Sequence, residues 1–380
     1  MARVFRSVTK RIFIVANIIV VAVFLLACLN AFLPPAKYWY IAMLGLGFPF
    51  LLLAVLCFLV IWILFRSKWA ILSLVALILG FSNIRALIGF NIASASFSKV
   101  KEEGALRIMT WNVTWFDEQT RAGRKKGNYR NEMIQYIREQ NADILCFQEY
   151  LEPNKNRNYN NMKDFREMGY KYHVKAIDYF GGSSSLEVGV IIYSKYPIVD
   201  SMHIHYNGPK ASRAAESLIA ADIDKNGDRI RIFNTHLQSI LLKKDDYRYV
   251  KMIRTADDSI MEASKSIMKK LKQGYTYRSD QVDVVREKLD ESPYPEVICG
   301  DFNDVPNSYT YFQVKGDRKD VFVKKGRGLG RSFYALSPTL RIDFIMTDPQ
   351  FEVLQYKRDV LPYSDHYPLV TDIRLIPPDE

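Results

Sequence analysis

Hydrophobic residues are distributed very unevenly along the chain. Three long apolar runs, 12–33, 39–65 and 69–90, fill its beginning, each long enough to cross about 30 Å of hydrocarbon as a helix. Tyr38, Trp39, Tyr40, Trp62 and Trp69 fall near run ends, where amphipathic rings favour the membrane–water boundary. Residues 91–104 (NIASASFSKVKEEG) are small and polar and read as a linker. Beyond them short apolar segments alternate with polar ones. Strands are predicted at 106–111, 143–147, 188–193, 218–223, 229–234, 296–299, 342–346 and 369–373, with an amphipathic helix at 129–139. Asn226-Gly227 between two of these strands signals a hairpin. Strands mixed with helices, hairpins included, predict an α/β domain with mixed sheets over 105–380.

One segment breaks this rhythm. Within a charged helical insertion at about 243–290, Ile253, Ala256, Ile260, Ala263, Ile267 and Leu271 recur at helical spacing opposite a charged face. Two readings stay open. One is a surface helix packed on the domain, the other a basic helix near the membrane or over an active site.

Charge sharpens the division at residue 90. Residues 1–98 contain no Asp or Glu but eight Lys or Arg, and subtracting those eight from the net +11 leaves +3 for the remainder. The basic excess therefore belongs mostly to the membrane part and is no argument for duplex DNA binding, which calls for a basic face on the domain itself. Basic residues precede the first run and occupy the loop Arg66–Lys68, whereas the 34–37 loop has one. The positive-inside bias puts the N-terminus in the cytoplasm and, after three crossings, the domain on the non-cytoplasmic side, periplasmic or extracellular. Asn83 and Arg85 are the polar exceptions within the third run, and Arg85 can snorkel to the outer interface. A rival reading, a secretory signal ending at LLAC with Cys28, is disfavoured because two further spans make a lipid anchor redundant.

Only four cysteines occur, Cys28 and Cys57 in spans and Cys146 and Cys299 in strand-like runs. None has metal-site spacing, so they read as small buried apolar residues, with a Cys146–Cys299 disulfide as the alternative.

The candidate chemistry lies where strands end. The stretch EVICGDFNDVP (296–306) breaks at Gly300 into Asp301, Asn303 and Asp304. An EF-hand loop is excluded, because its sixth position would be Pro306 rather than glycine. Asp304 reads as a turn residue. Other segments repeat the pattern: MTWN ends at Asn112, ILCFQE at Glu149, and IFNTHL at His236 before its final Leu. RIDFIM carries Asp343, and SDHYP carries Asp365 and His366 before the last strand. Each alone is an ordinary turn or structural residue. Six in order, each offering an acid, amide or imidazole, point to one site.

Together WN, QE, THL, GDFN and SDHYP resemble the endonuclease/exonuclease/phosphatase superfamily, over about residues 105–375. That resemblance, to deoxyribonuclease I-like and sphingomyelinase-like members, implies a four-layer α/β sandwich of two mixed β-sheets flanked by helices, here preceded by three transmembrane helices. It implies Glu149 as principal Mg2+ ligand, with Asn112 and Asp365 near the metal and Mn2+ as a substitute. By the same resemblance Asp301 activates the attacking water, Asn303 assists it, His366 donates to the phosphate oriented by Asp343, and His236 is a second phosphate-site histidine. Glu187 would partner His236, and Arg213 would contact phosphate.

The chemistry agrees with these assignments. A phosphodiester is anionic, so its charge must be neutralised before water attacks. One Glu with an Asn and an Asp suits Mg2+ better than Zn2+, which favours His and Cys. The expectation is a membrane-anchored, divalent-metal-dependent phosphoester hydrolase acting on a lipid-linked or membrane-proximal phosphoester. An extracytoplasmic nuclease acting on nucleic acid is the alternative, and an inactive membrane-tethered binding domain a third reading that the filled positions disfavour. Beyond the lipid bilayer and the substrate, no protein partner is predictable.

Overall fold

The computed structural model describes residues 2–92, 96–117, 129–153, 160–181, 186–206, 217–240, 258–335 and 337–376. The apolar runs become α1 (Ala2–Cys28), α2 (Pro35–Leu64), α3 (Ala70–Leu79) and α4 (Phe81–Leu87). Pro35 opens α2 at a position where its missing N–H costs nothing. Two helices are long and apolar enough to span a membrane, the segments Phe5–Ala31 and Pro35–Leu64. The third expected span is not one straight helix. It is the pair α3 and α4, bent by 66°. The bend lets Asn83 leave the apolar surroundings and donate through Nδ2 to the Cys28 carbonyl and to Asn307 Oδ1. A polar side chain within a span needs such partners.

The remaining elements follow in order. First come β1 (Gly89–Phe90), β2 (Leu106–Asn112), α5 (Arg130–Gln140), β3 (Ile144–Pro153) and α6 (Asn161–Glu167). Next are β4 (Tyr172–Gly181), β5 (Leu186–Ser194), β6 (Ile198–His205), β7 (Ser217–Lys225), β8 (Asp228–His236) and α7 (Asp258–Asp290). Last are β9 (Glu296–Asp301), α8 (Tyr309–Lys315), β10 (Lys319–Asp320), α9 (Val321–Lys325), β11 (Arg327–Gly328), β12 (Asp343–Thr347), β13 (Phe351–Arg358) and β14 (Leu369–Leu375).

Two six-stranded sheets form, ordered β13-β14-β2-β3-β5-β4 and β10-β12-β9-β8-β7-β6. Each is mixed: β2–β3 is the parallel pair of the first and β8–β9 that of the second. Ile108, Cys146 and Ile192 of one sheet meet Ile219, Ile232 and Cys299 of the other in a dry central core. On the outer faces, Met133 and Ile137 of α5 cover the first sheet, and Val282, Val285 and Leu289 of α7 cover the second. The result is the expected order of helix, sheet, sheet and helix. Asn226 and Gly227 adopt φ of 58° and 101° at the β7–β8 turn, as the hairpin signal required. Cys146 and Cys299 are buried free thiols, so the disulfide alternative falls.

The domain is gripped by one end of the helical bundle, where α1 ends and α4 ends. Asn307 Nδ2 donates to the Ala27 carbonyl at 3.0 Å, and Arg341 Nη2 to that of Ala86 at 2.5 Å. β1, which directly follows α4, pairs antiparallel with β11. Gly45 of α2 permits a close approach, since a Cβ there would lie 2.5 Å from the Asn307 carbonyl oxygen.

Candidate active site

The two parallel pairs lie inside their sheets, and their carboxyl ends converge, which is where open α/β sheets place ligands. β2 and β3 deliver Asn112 and Glu149, and β8 and β9 deliver His236 and Asp301. Asn112 Nδ2 joins the sheets by donating to Asp301 Oδ2 at 3.1 Å and to Glu149 Oε1 at 3.3 Å. Below them Gln148 Nε2 donates to Asn234 Oδ1 at 2.6 Å, and Asn234 returns bonds to the Phe147 and Ile191 carbonyls. This buried amide network fixes the spacing of the two sheets beneath the site. Sequence reading passed over it, because Gln148 and Asn234 read as ordinary strand residues.

Asp301 is the focus. It is 1% exposed, accepts from the Asn303 backbone N–H at 2.8 Å, and has His236 Nε2 and His366 Nε2 each 3.6 Å from Oδ2. Gly300 lets β9 lie close against β8 just before Asp301: at φ +154° a Cβ would lie 2.1 Å from the Thr235 carbonyl oxygen. Asn303 turns the chain in the left-handed region and donates Nδ2 to the Leu237 carbonyl. Burial pushes the Asp301 carboxyl up to about 6, opposed by the neighbouring His366. That range suits a group that takes a proton near neutrality.

His366 is held from several sides. Its Nδ1 lies 3.0 Å from Asp343 Oδ2, its backbone N–H donates to Ser364 Oγ, and Trp111 Nε1 donates to its carbonyl. Burial works against its charge, yet Asp343, Asp301 and Asp365 together hold the imidazole protonated, up to about 10. Asp301, Asp343 and His366 are close enough to suggest a metal cluster. With a ring nitrogen facing each carboxylate, the imidazolium already supplies the cation they need.

The oxygen donors suited to a divalent cation lie on the other side of Asp301. Glu149 sits at the irregularity in β3 with φ 48°, and Asp365 accepts from Thr114 Oγ1 at 2.6 Å. Thr114 also donates its backbone N–H to Asn112 Oδ1, so Glu149, Asn112, Thr114 and Asp365 form one hydrogen-bonded chain. Carboxylate oxygens of this kind fit a hard cation such as Mg2+. Asn112 stands behind Glu149 and orients it.

Two residues, Glu187 and Asp304, differ from expectation. Glu187 is paired with Lys175, and the carboxylate against His236 is Asp301, so the expected Glu187–His236 contact is not formed. Arg213 lies outside the described residues. Asp304 is no mere turn residue: it is buried and accepts from Thr310 Oγ1 at 2.8 Å and from Arg278 Nε at 3.4 Å. Arg278 and Tyr275, on α7, line the same cavity as Asp301 and went unnoticed, since a helix carries no strand-end signal.

Acids, amides and imidazoles thus meet at the joined carboxyl ends of two packed mixed sheets. The chain belongs to the Endonuclease/Exonuclease/phosphatase family, whose sequence model matches residues 109–366. A second model, a domain of unknown function (DUF8431), matches residues 10–87. Among solved structures, an endonuclease/exonuclease/phosphatase from Bacteroides vulgatus is similar at 19% identity and TM-score 0.51, over 71% of this chain and 99% of that one. The catalytic domain of human Nocturnin with a bound sulfate anion is similar at 16% identity and TM-score 0.50, over 73% and 96%. At these identities the likeness is one of fold. No curated protein matches the chain.

Proposed function

We propose that this chain is a membrane-anchored phosphoester hydrolase that activates water with Asp301 and needs a divalent cation, Mg2+ or in its place Mn2+. The observation that carries the reading is Asp301 itself, a buried carboxylate with two imidazoles each 3.6 Å from Oδ2 and Glu149 reached through Asn112. Glu149 and Asp365 would hold the cation, which would supply charge neutralisation for the anionic ester. Asp301 takes the proton from the attacking water. His366, protonated and oriented by Asp343, donates a hydrogen bond to a phosphoryl oxygen as charge builds there, and His236 faces the same group. Asn303 holds Asp301 in register through its backbone N–H. Arg213 is the further phosphate contact suggested by resemblance.

The basic Arg66–Lys68 loop and N-terminus support a cytoplasmic start. The domain docks at the opposite end of α1, which supports a catalytic domain on the non-cytoplasmic side. A C-terminal alkaline phosphatase fusion in a bacterial host tests this and should be active. An inactive fusion beside an active cytoplasmic reporter refutes it.

The activity test uses detergent-solubilised full chain with bis-p-nitrophenyl phosphate, plasmid DNA and phospholipid, in Mg2+ or in EDTA. Turnover that needs metal and is lost in Asp301→Ala supports the reading. Cleavage of DNA with no action on lipid makes the protein a nuclease. A wild type no more active than Asp301→Ala makes it an inactive binding domain.

A further inference from the structure

The cavity at Asp301, ≈ 530 Å³, has two unlike walls. One carries Asp301, His236, His366 and Glu149. The other is supplied by the membrane helix α2, through Leu46 and Phe50, and by α7. Leu46 and Phe50 are four residues apart and so share a helix face, as do Ile267 and Leu271 of α7. The catalytic site thus continues, without a break in its lining, onto a helix long and apolar enough to lie in a bilayer.

Along α7 the lining grades from charged to apolar. Arg278, Tyr275, Leu271 and Ile267 follow one another at helical spacing and cover about 16 Å at 1.5 Å per residue. At the charged end, Arg278 is 1% exposed, with Nη1 donating to the Gln238 carbonyl and Nε to Asp304. Its Nη2 and the hydroxyl of buried Tyr275 have no hydrogen-bond partner among the described residues. Buried donors left open are costly, and both residues belong to the lining of the cavity that holds Asp301 and His366.

We propose that the substrate is a membrane amphiphile: a phosphoester whose phosphoryl oxygens meet Arg278 and Tyr275, and whose hydrocarbon chain lies between α2 and α7. Leu46, Phe50, Ile267 and Leu271 are then specificity determinants. The inference rests on the hydrolase reading of Asp301. A small soluble phosphoester or a nucleic acid would fill the polar wall and leave the apolar one wet. A chain entering from the bilayer covers it, and cavities of this size suit a ligand largely buried on binding.

The test compares p-nitrophenyl hexadecyl phosphate with p-nitrophenyl methyl phosphate, in the same detergent micelles, on solubilised full chain with Mg2+. In wild type, kcat/KM for the hexadecyl ester should exceed that for the methyl ester about 100-fold. Phe50→Ala and Leu271→Ala should each reduce that ratio roughly tenfold. Ile63→Ala, a residue of α2 that is exposed and not part of the cavity lining, should keep the ratio. A folding defect lowers both rates together and leaves the ratio alone. Tyr275→Phe removes a buried unpartnered hydroxyl, so it should hold or raise the thermal midpoint while cutting kcat/KM for both esters roughly fivefold. If wild type turns over both esters within about threefold of each other, or the ratio survives Phe50→Ala and Leu271→Ala, the amphiphile proposal is overturned and the hydrolase stands. If Tyr275→Phe loses no activity, the polar anchor is overturned. If neither ester is cleaved with Mg2+ or Mn2+, the hydrolase reading falls and takes the amphiphile with it.

Discussion

Asp343→Asn is the sharpest probe of how His366 works. Asp343 is a buried carboxylate beside His366. It touches the imidazole, at 3.0 Å from Nδ1, and both side chains are buried, at 2% and 7% exposure. The substitution keeps shape and removes a charge, so it costs a charge-assisted hydrogen bond, about 1.5–3 kcal/mol. If that bond matters when phosphoryl charge develops, kcat falls roughly 10- to 150-fold at 1.36 kcal/mol per decade. KM should hold. The assay is p-nitrophenolate release from bis-p-nitrophenyl phosphate by solubilised full chain at saturating Mg2+. His366→Asn should cost more, about 10²- to 10⁴-fold. The double variant should match His366→Asn within about threefold, because Asp343 acts only through the ring. If the two losses multiply, or Asp343→Asn raises KM and spares kcat, the positioning role is refuted.

Glu149→Gln should raise the Mg2+ concentration for half-maximal rate by about tenfold or more, and EDTA should abolish turnover reversibly; a titration unmoved by the substitution removes Glu149 from the metal site. Arg341 is buried between Phe322 and Phe344, with Nη1 2.7 Å from Asp320. Arg341→Met strands that buried carboxylate and should cost about 3–5 kcal/mol, read as a lowered thermal midpoint; an unchanged midpoint contradicts it. Burial pushes the Glu296 carboxyl from 4.5 up to about 7, with Arg318 opposing. Its folded value thus exceeds the unfolded one, the folded chain holds the extra proton between those values, and stability falls as pH rises across that window. Glu296→Gln should flatten that slope in a pH series of thermal midpoints, and an equally steep slope in the variant would exclude Glu296 as its source.

The sandwich was readable where strands are buried on both faces. Short, mostly apolar runs such as 106–111 and 296–299 became β2 and β9, too brief for helices and buried throughout. The edge strands β4 and β6 escaped notice, since β6 is exposed at most positions and its sequence need not alternate cleanly. The candidate residues could be picked out because they stand at or near strand ends, and the structure brings Asp301, His236, His366 and Asp343 together. The bend within the third apolar run was not legible, for a definite reason. Hydropathy registers that 69–90 is apolar, but not that Asn83 would find Cys28 and Asn307 and bend the helix to reach them. Nor does local sequence reveal that Leu46, inside a run that reads only as lipid-facing, borders Asp301. The Asn83–Asn307 pairing joins residues 224 positions apart and exists only once the domain has docked.

That docking has a mechanical consequence. Asn307 is fastened to Ala27 and Asn83, Arg341 to Ala86, and β1 to β11, so the domain is fixed at separate points on the end of the bundle. Several points of attachment remove the rotation and reach that a flexible tether would allow. Asp301 therefore sits at one height relative to the helices and at one tilt, a depth gauge set by the fold. With the helices in a bilayer, it sweeps a single plane as the molecule diffuses, and its encounters depend on how many target phosphates lie in that plane rather than on their bulk concentration.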